Sequence, residues 1–441
     1  MTIKNITPSN KFGISSKQIN SDAIYVIEKL QENNFDGYIV GGGIRDLILG
    51  KIPKDFDIVT NATPEQVRKV FKRNAIIIGR RFKIVHVMFG NINPDKMIGS
   101  RPLVERHIVE VSTYRSIKIH QHSVSEHGKI MVDNNYGTQE EDSTRRDFTI
   151  NALYYDPIKE IIIDYHNGIK DIQNKSLKMI GDPDIRYKED PVRVLRAIRL
   201  AIKLGLEIEE ETSKYIISAR ELLINEHKGR LYEEMLKILL SGHSTTCIQA
   251  IKQLKIPRHV FVLFDKIFFN KLPDDLALKI IAKTDDRLQN GNDVSIIFIL
   301  AGLMWSIIYK TWQRFLPNGA DPKQALSDAI TDNKGFAYNI GVNKNAYLAM
   351  REIWMLQLDL ESPTIKKIDY IFNNRRFRQA WHLYSTRHEI GQVDNKIFEW
   401  WNSFINAPDD ETKIILHDKL KSMISTKRKK KFKNKNLKGL I

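Results

Sequence analysis

Asp55 and Asp57 are the residues of this chain best placed to do chemistry, two carboxylates separated by one phenylalanine. Alternation along an extended strand sends both acids to one face and turns Phe56 to the other, toward a core. Like charges that close repel and raise one pKa, and the usual resolution is a bound cation. Hard oxygen ligands suit Mg²⁺, which one or two carboxylates hold together with substrate phosphates. Just upstream runs Gly41-Gly42-Gly43-Ile44-Arg45. Its glycines leave backbone N–H groups open to a triphosphate, and Arg45 adds charge-assisted donors. Taken alone, Asp-x-Asp reads first as a solvated strand edge; the preceding glycine turn reverses that preference toward metal-dependent phosphate chemistry.

These groups need a scaffold, and the apolar pattern supplies one. Tyr38 to Val40 reads as a buried strand, the glycines as a turn, Ile44 to Leu49 as helix and Phe56 to Val59 as a returning strand. Upstream, Asp22 to Gln31 carries Ala23, Ile24, Ile27 and Leu30 at helical spacing. Downstream, Thr63 and Pro64 open a helix whose buried side is Val67, Val70 and Phe71. Ile76 to Val87 gives two apolar runs joined through Gly79, Arg80 and Arg81, a hairpin pattern. Ile108 to Arg115 is another strand, in which Glu110 points opposite Val109 and Val111. Residues 116–137 are polar, and His120, His122 and His127 lack metal-box spacing, which predicts a loop over the site's rim. Ile161 to Asp164 is the last strand before the composition turns helical.

Gly-Gly-Gly-Ile-Arg-Asp, then Leu-Gly, then Asp-Phe-Asp resembles the signature of the bacterial poly(A) polymerase and tRNA CCA-adding enzyme family of nucleotidyltransferases. Further blocks carry the resemblance. Arg145, Arg146, Asp147 and Asn151 match the family's Arg-Arg-Asp block, and Asp190, Arg193 and Arg196 fall in Glu-Asp-x-x-Arg-x-x-Arg. Gly79-Arg80-Arg81-Phe82 resembles the segment that separates poly(A) polymerases from CCA-adding enzymes. The resemblance implies two Mg²⁺ (Mn²⁺ being the other candidate) on Asp55 and Asp57, with Glu110 as a third acid, and ATP as substrate. A two-metal site needs several oxygens around ions about 4 Å apart. It further implies that Gly42, Gly43 and Arg45 hold the triphosphate, that Asp147 with Arg145, Arg146 and Asn151 meets sugar and phosphate, and that Asp190, Arg193 and Arg196 form a protein template for the base edge. Planar guanidinium donors and a carboxylate acceptor can match such an edge. The last block occurs in both enzyme types and leaves A against C-C-A open.

The net charge of +16 over 441 residues points to a polyanionic partner. A lone cysteine, Cys247, excludes an internal disulfide and suits a reducing cytoplasm. Val294 to Ile308 is the most apolar run; spanning a bilayer takes about 20 residues, so it reads as a buried helix and no integral membrane segment is expected. Arg375, Arg376 and Arg378 interleave with Phe377, Trp381 and Tyr384, a pattern that either binds RNA or buries its aromatics and leaves the arginines outside. The chain ends in a basic run that includes Lys427, Arg428 and Lys429, from which no core can form; it reads as a disordered, phosphate-binding tail.

The fold class expected is α+β: a nucleotidyltransferase domain with a mixed sheet flanked by helices, followed by an all-helical region. The expected limits are 1–20 loosely ordered, 21–165 catalytic, 166–260 base- and RNA-recognising, 261–420 helical body and 421–441 tail. The activity implied is template-independent addition of AMP from ATP to the 3′ ends of mRNA and small RNAs, in RNA processing and decay. The alternatives are CCA addition to tRNA and a catalytically silent RNA-binding protein. A dinucleotide-binding dehydrogenase is excluded, because the glycine turn is not Gly-x-Gly-x-x-Gly and an aspartate pair follows it.

Overall fold

The computed structural model describes residues 4–79, 83–98, 101–117, 135–269, 274–317 and 320–423, with backbone alone over 91–98 and 101–106. The chain divides into two units, Met1–Asn225 and Glu226–Ile441. That boundary falls inside the segment 166–260.

The first unit is built on a sheet of β1 (Asn5–Pro8), β2 (Tyr38–Val40), β3 (Asp57–Thr60), β4 (Ala75–Ile78), β5 (Ile84–Ile98), β6 (Arg101–Thr113), β7 (Leu153–Asp156) and β8 (Ile161–Asp164), in the order β1-β8-β7-β2-β3-β6-β5-β4. Only β3 and β6 run parallel, so the sheet is mixed. One face of Ile58, Val85, Val87, Val109 and Val111 is buried under α1 (Ser21–Glu32) and α3 (Pro64–Phe71). Thr63 caps α3 through a reciprocal pair with Gln66, as Thr-Pro-Glu-Gln predicts. The opposite face buries Val40, Val59 and Ile163 with a tyrosine group in which Tyr154 meets Tyr38, Tyr114 and Tyr165 edge to face. In the segment 91–107, to which the sequence assigned no role, the described residues 91–98 and 101–107 extend the antiparallel β5–β6 pairing past the sheet's neighbouring strands.

Around the sheet follow α2 (Gly42–Ile48), α4 (Gln139–Arg145), α5 (Gly168–Gln173), α6 (Pro183–Glu189) and α7 (Val192–Leu204). Val192, Leu195 and Ile198 form the buried stripe of α7. The helix expected over Lys214 to Leu223 is instead α8 (Glu210–Lys214), α9 (Ile216–Ala219) and a 3-10 turn (Arg220–Asn225). Here Ile216, Ala219 and Leu223 are buried while Ile217 and Ile224 stay exposed, too sparse an apolar stripe to hold one continuous helix.

The second unit is helical: α10 (Lys228–Leu239), α11 (Ser244–Gln253), α12 (Val262–Phe268), α13 (Asp275–Gln289), α14 (Ile296–Phe315), α15 (Pro322–Asp332), α16 (Lys334–Asn339), α17 (Lys344–Glu361), α18 (Ile368–Phe372), α19 (Phe377–Glu389) and α20 (Asn395–Ile405), with a last helix over 410–423. By length and composition α14 is apolar enough to cross a membrane, but 61% of its apolar window is buried and it packs on α13, α15, α17 and α19. It is the core helix of this unit.

Candidate active site

Asp57 opens β3, paired to Val40 on β2. On its other side the parallel register Ile58↔Val111 continues to Asp57 beside Glu110, and Glu110 in turn faces His86 on β5. Alternation puts all three side chains on one face, and Nε2 of His86 lies 3.1 Å from Oε1 of Glu110. Asp55 precedes the strand rather than belonging to it. A cleft of about 340 Å³ is lined by Asp55, Asp57, Glu110, His86, His107 and Lys54, among others. Water reaches Asp57 through this cleft, but protein encloses the carboxylate on its other sides. That enclosure pushes its pKa up, the charges of Glu110 and Asp55 push it further, and only Arg146 pulls it down. Among the described residues, neither Asp55 nor Asp57 has a side-chain hydrogen bond or ion pair. Nor do any three His, Cys, Asp or Glu side chains among them form a metal cage by themselves.

The glycine turn sets the next wall. Gly41 has φ 74°, open to glycine and strained for other residues, and lets the chain turn from β2 directly into α2. A Cβ on Gly43 would stand 3.1 Å from the Phe56 ring and 3.3 Å from the Asp55 carbonyl. Glycine there allows α2 to lie against the acid-bearing loop. Phe56 thus packs half-buried on Gly43.

Arg45 is buried. Its Nη2 donates to Oδ1 of Asp46 at 2.6 Å and its Nη1 to Oδ1 of Asn151 at 2.6 Å. Asn151 donates onward to Asp147 at 3.1 Å, and Nη1 of Arg196 donates to the same aspartate at 2.7 Å. A continuous polar chain therefore joins α2, the Arg-Arg-Asp loop and α7. Burial alone would raise the pKa of Asp147, but the Arg196 guanidinium and the two N–H donors take it down to about 2. Arg146 pairs with Asp142 at 2.9 Å and lies over the Tyr154 ring, whose hydroxyl donates to Asp142 at 2.8 Å. Arg145 donates to the Ser116 carbonyl at 2.7 Å. Arg193 donates to the Arg186 carbonyl at 2.5 Å and to Glu189 at 3.2 Å, while Asp190, between α6 and α7, accepts from the Val192 N–H at 3.2 Å.

The structure also places residues that the sequence reading passed over. Arg186 donates to the carbonyls of both Arg145 and Arg146 at 2.7 Å, clamping their loop to α6. Asp142 and Glu189 each stand one helical turn before an arginine they bind, a signal present in the spacing. For Asp46, Tyr154 and His86 no local spacing gives a hint.

In the second unit Arg375 pairs with Glu352 at 2.6 Å, Arg376 reaches Glu352 at 3.6 Å and Arg378 is exposed. Phe377 and Tyr384 are buried, and Trp381 stacks on Phe398, so these aromatics serve the helical core. Arg80, Arg81, His120, His122, His127, Lys427, Arg428 and Lys429 lie outside the described residues.

Residues 37–178 match the description "Poly A polymerase head domain", 205–267 "Probable RNA and SrmB- binding site of polymerase A", and 318–436 "Polymerase A arginine-rich C-terminus". Relatives named Poly(A) polymerase I from Haemophilus influenzae and Salmonella typhimurium are 33% and 35% identical, over 97% and 94% of this chain and 94% and 88% of their own. The chain belongs to the poly(A) polymerase family. It is a nucleotidyltransferase. A CCA-adding enzyme of Lactobacillus helveticus is 32% identical, but over 54% of each chain. Among solved structures, the Bacillus stearothermophilus CCA-adding enzyme in complex with CTP matches with TM-score 0.51 at 21% identity, covering 88% of this chain and 82% of its own. At that identity the match speaks for the fold, and it supports the α+β reading.

Proposed function

We propose that this poly(A) polymerase family member transfers AMP from ATP to RNA 3′ hydroxyls without a nucleic-acid template, releasing pyrophosphate. Identity to Poly(A) polymerase I along nearly the whole chain carries this reading, since the CCA-adding relative corresponds over about half of it. The substrates are mRNA and small-RNA ends in a bacterial cytoplasm.

The acid cluster fits a divalent cation. Three carboxylates converge on one cleft, Asp57 is held above its ordinary proton affinity, and no ion pair neutralises Asp55 or Asp57 among the described residues. A protein cage is not required, because Mg²⁺ completes its shell with substrate phosphates and water. Asp55 and Asp57 would hold two such ions, and when bound these supply a more acidic 3′ hydroxyl and neutralise the charge of departing pyrophosphate. Glu110, fixed by His86, stands beside them as the further acid.

The chain's own side chains do the rest. Gly42 and Gly43 bring backbone close to the acid loop, and Arg45 braces that turn through Asp46 and Asn151 while contributing positive charge toward the triphosphate. Arg146 carries charge toward Asp57. Asp147, kept ionised by Arg196, orients the guanidinium that with Arg193 and Asp190 reads the base, and Arg145 and Asn151 support the sugar-side loop. Purified protein offered ATP or CTP on an unstructured RNA and on a tRNA lacking its terminus should extend the RNA with A alone. Ordered C-C-A addition to the tRNA would overturn the reading. Asp55→Ala should abolish incorporation while RNA binding survives, and appreciable residual polymerisation would overturn the metal assignment.

A further inference from the structure

Three helices of the second unit, α13, α14 and α19, pack together and leave a cationic face with two aromatic rings in it. Lys279, Lys283 and Arg287 stand four residues apart on α13 and are all exposed, so they share one side of the helix. Glu389 on α19 accepts from Lys279 at 3.2 Å and also from Lys283, which fixes that side toward α19. One turn apart on α19, Arg378 and His382 are both exposed. The His382 ring meets Phe298 of α14 edge to face, 6.2 Å between centroids and 69° between planes. Beside this pair Gln379 donates to Ser295 at 3.0 Å, tying the start of α14 to α19.

The charge balance is one-sided. Glu389 is shared by two lysines, and Asp286 receives the Asn290 side chain at 3.2 Å. Among the described residues neither Arg287 nor Arg378 has an ion pair or a side-chain hydrogen bond. The protein packed against its ring, then Arg287, Arg378 and Lys283, lower the pKa of His382. Cations set around a half-exposed aromatic pair are what an unpaired nucleic-acid strand uses: phosphates meet the charges and a base stacks on a ring. Residues 275–315 fall between the segments 205–267 and 318–436 that match family descriptions, so none of those descriptions covers α13 or Phe298.

We propose that Lys283, Arg287 and Arg378 around the Phe298–His382 pair form a binding surface for single-stranded RNA, with one base stacked on the aromatic pair. The proposal rests on the tail-adding reading for the identity of the strand, which is the substrate RNA or its growing 3′ tail.

The test uses the full chain and a fluorescein-labelled oligoadenylate of about 15 nucleotides, within the span of one such site. Binding is followed by anisotropy as KCl is raised. Combined Arg287→Glu and Arg378→Glu should weaken binding at least about tenfold at 0.1 M salt and flatten the log–log salt slope by about 1.4, two phosphate contacts on a single strand. Combined Phe298→Ala and His382→Ala should weaken it about tenfold with the slope unchanged, the signature of a lost stack. Unaltered circular dichroism and thermal midpoints establish that both variants fold. Wild-type affinity and slope in both folded variants would overturn the surface. So would equal displacement of the RNA by oligoglutamate of the same length together with an inert aromatic variant, which marks a surface for acidic protein. Loss of RNA binding in the variants, with no AMP incorporation by the wild type, would instead sink the tail-adding reading and leave the surface standing.

Discussion

Asp57 and Asp147 are carboxylates of the same unit, the first open to solvent at the cleft and the second buried, and their proton affinities move in opposite directions. Partial desolvation by the surrounding protein raises both. At Asp57 the nearest charges are Glu110 and Asp55, which add to the rise; at Asp147 a guanidinium 2.7 Å away reverses it, to about 2. The acid end of the sheet therefore gathers like charges that repel one another, whereas the chain Asp46–Arg45–Asn151–Asp147–Arg196 is complete as folded. The first region has the character of a place where ligand charge arrives, the second of a frame prepared beforehand.

The comparison breaks most directly at Asp57. Asp57→Asn should lower AMP incorporation at least about a thousandfold, several kcal/mol of charge stabilisation at the reacting phosphate. It should not lower the thermal midpoint at pH 7. A carboxylate whose folded pKa lies above its unfolded 3.8 binds its proton more tightly when folded, so its ionised form counts against folding above the folded pKa. That contribution disappears as pH falls below 3.8. A clear fall in midpoint for Asp57→Asn at pH 7 would mean that the acid end is already balanced by protein.

Asp147→Asn should show the reverse pattern, a loss of about 2 kcal/mol in denaturant unfolding at pH 7, below the usual cost of breaking a buried pair because Arg196 retains some solvent. The sign follows from a depressed pKa. The stabilisation is fully present above the unfolded 3.8 and is lost as pH falls from there toward 2. The gap between wild type and Asp147→Asn should thus close over that window, and a gap independent of pH would mean that packing, not charge, sets it.

Ligand linkage sharpens the same contrast through binding. Mg²⁺ with a non-hydrolysable ATP analogue at about a hundred times Kd should stabilise the wild type by about 2.7 kcal/mol, read as a rise in thermal midpoint. Asp55→Ala should lose most of that rise, whereas Arg375→Ala, at an exposed pair with Glu352, should keep it. Equal shifts in both variants would place the ligand away from the acids.

Legibility in the sequence followed the range of the interactions. Period-two alternation brought Asp57 and Glu110 to cleft-facing positions, and Thr63-Pro64 marked the start of α3, because those signals sit within a few residues. The resemblance supplied the Arg-Arg-Asp and Glu-Asp-x-x-Arg-x-x-Arg blocks, but not that Asp147 on one would grip Arg196 on the other, nor that Arg45 would bond Asn151 across 106 residues. Such pairings depend on strand order, which spacing does not encode. His86 escaped for the same reason, since only the β5–β6 register sets it against Glu110. The break at Tyr215 and the 3-10 turn after Ala219 escaped because the apolar residues between Lys214 and Leu223 suit a helix locally and are overruled by what the unit can bury.

The smallest effect concerns Glu110, whose side chain is 52% exposed with His86 as its hydrogen-bond partner. In the proposed cation site Glu110 would be the peripheral acid, its carboxylate already engaged by His86, and Glu110→Gln should cost about tenfold in rate, the scale of about 1.4 kcal/mol. Its more telling consequence is at a distance. Glu110 is the largest charge raising the pKa of Asp57, so neutralising it lets Asp57 stay ionised at lower pH. The acid limb of the incorporation rate should then move to lower pH in Glu110→Gln, even as the plateau drops. A plateau loss with an unmoved limb would mean that the two carboxylates titrate independently, and that the convergence of charge on which the cation site depends is weaker than the register of β3 and β6 implies.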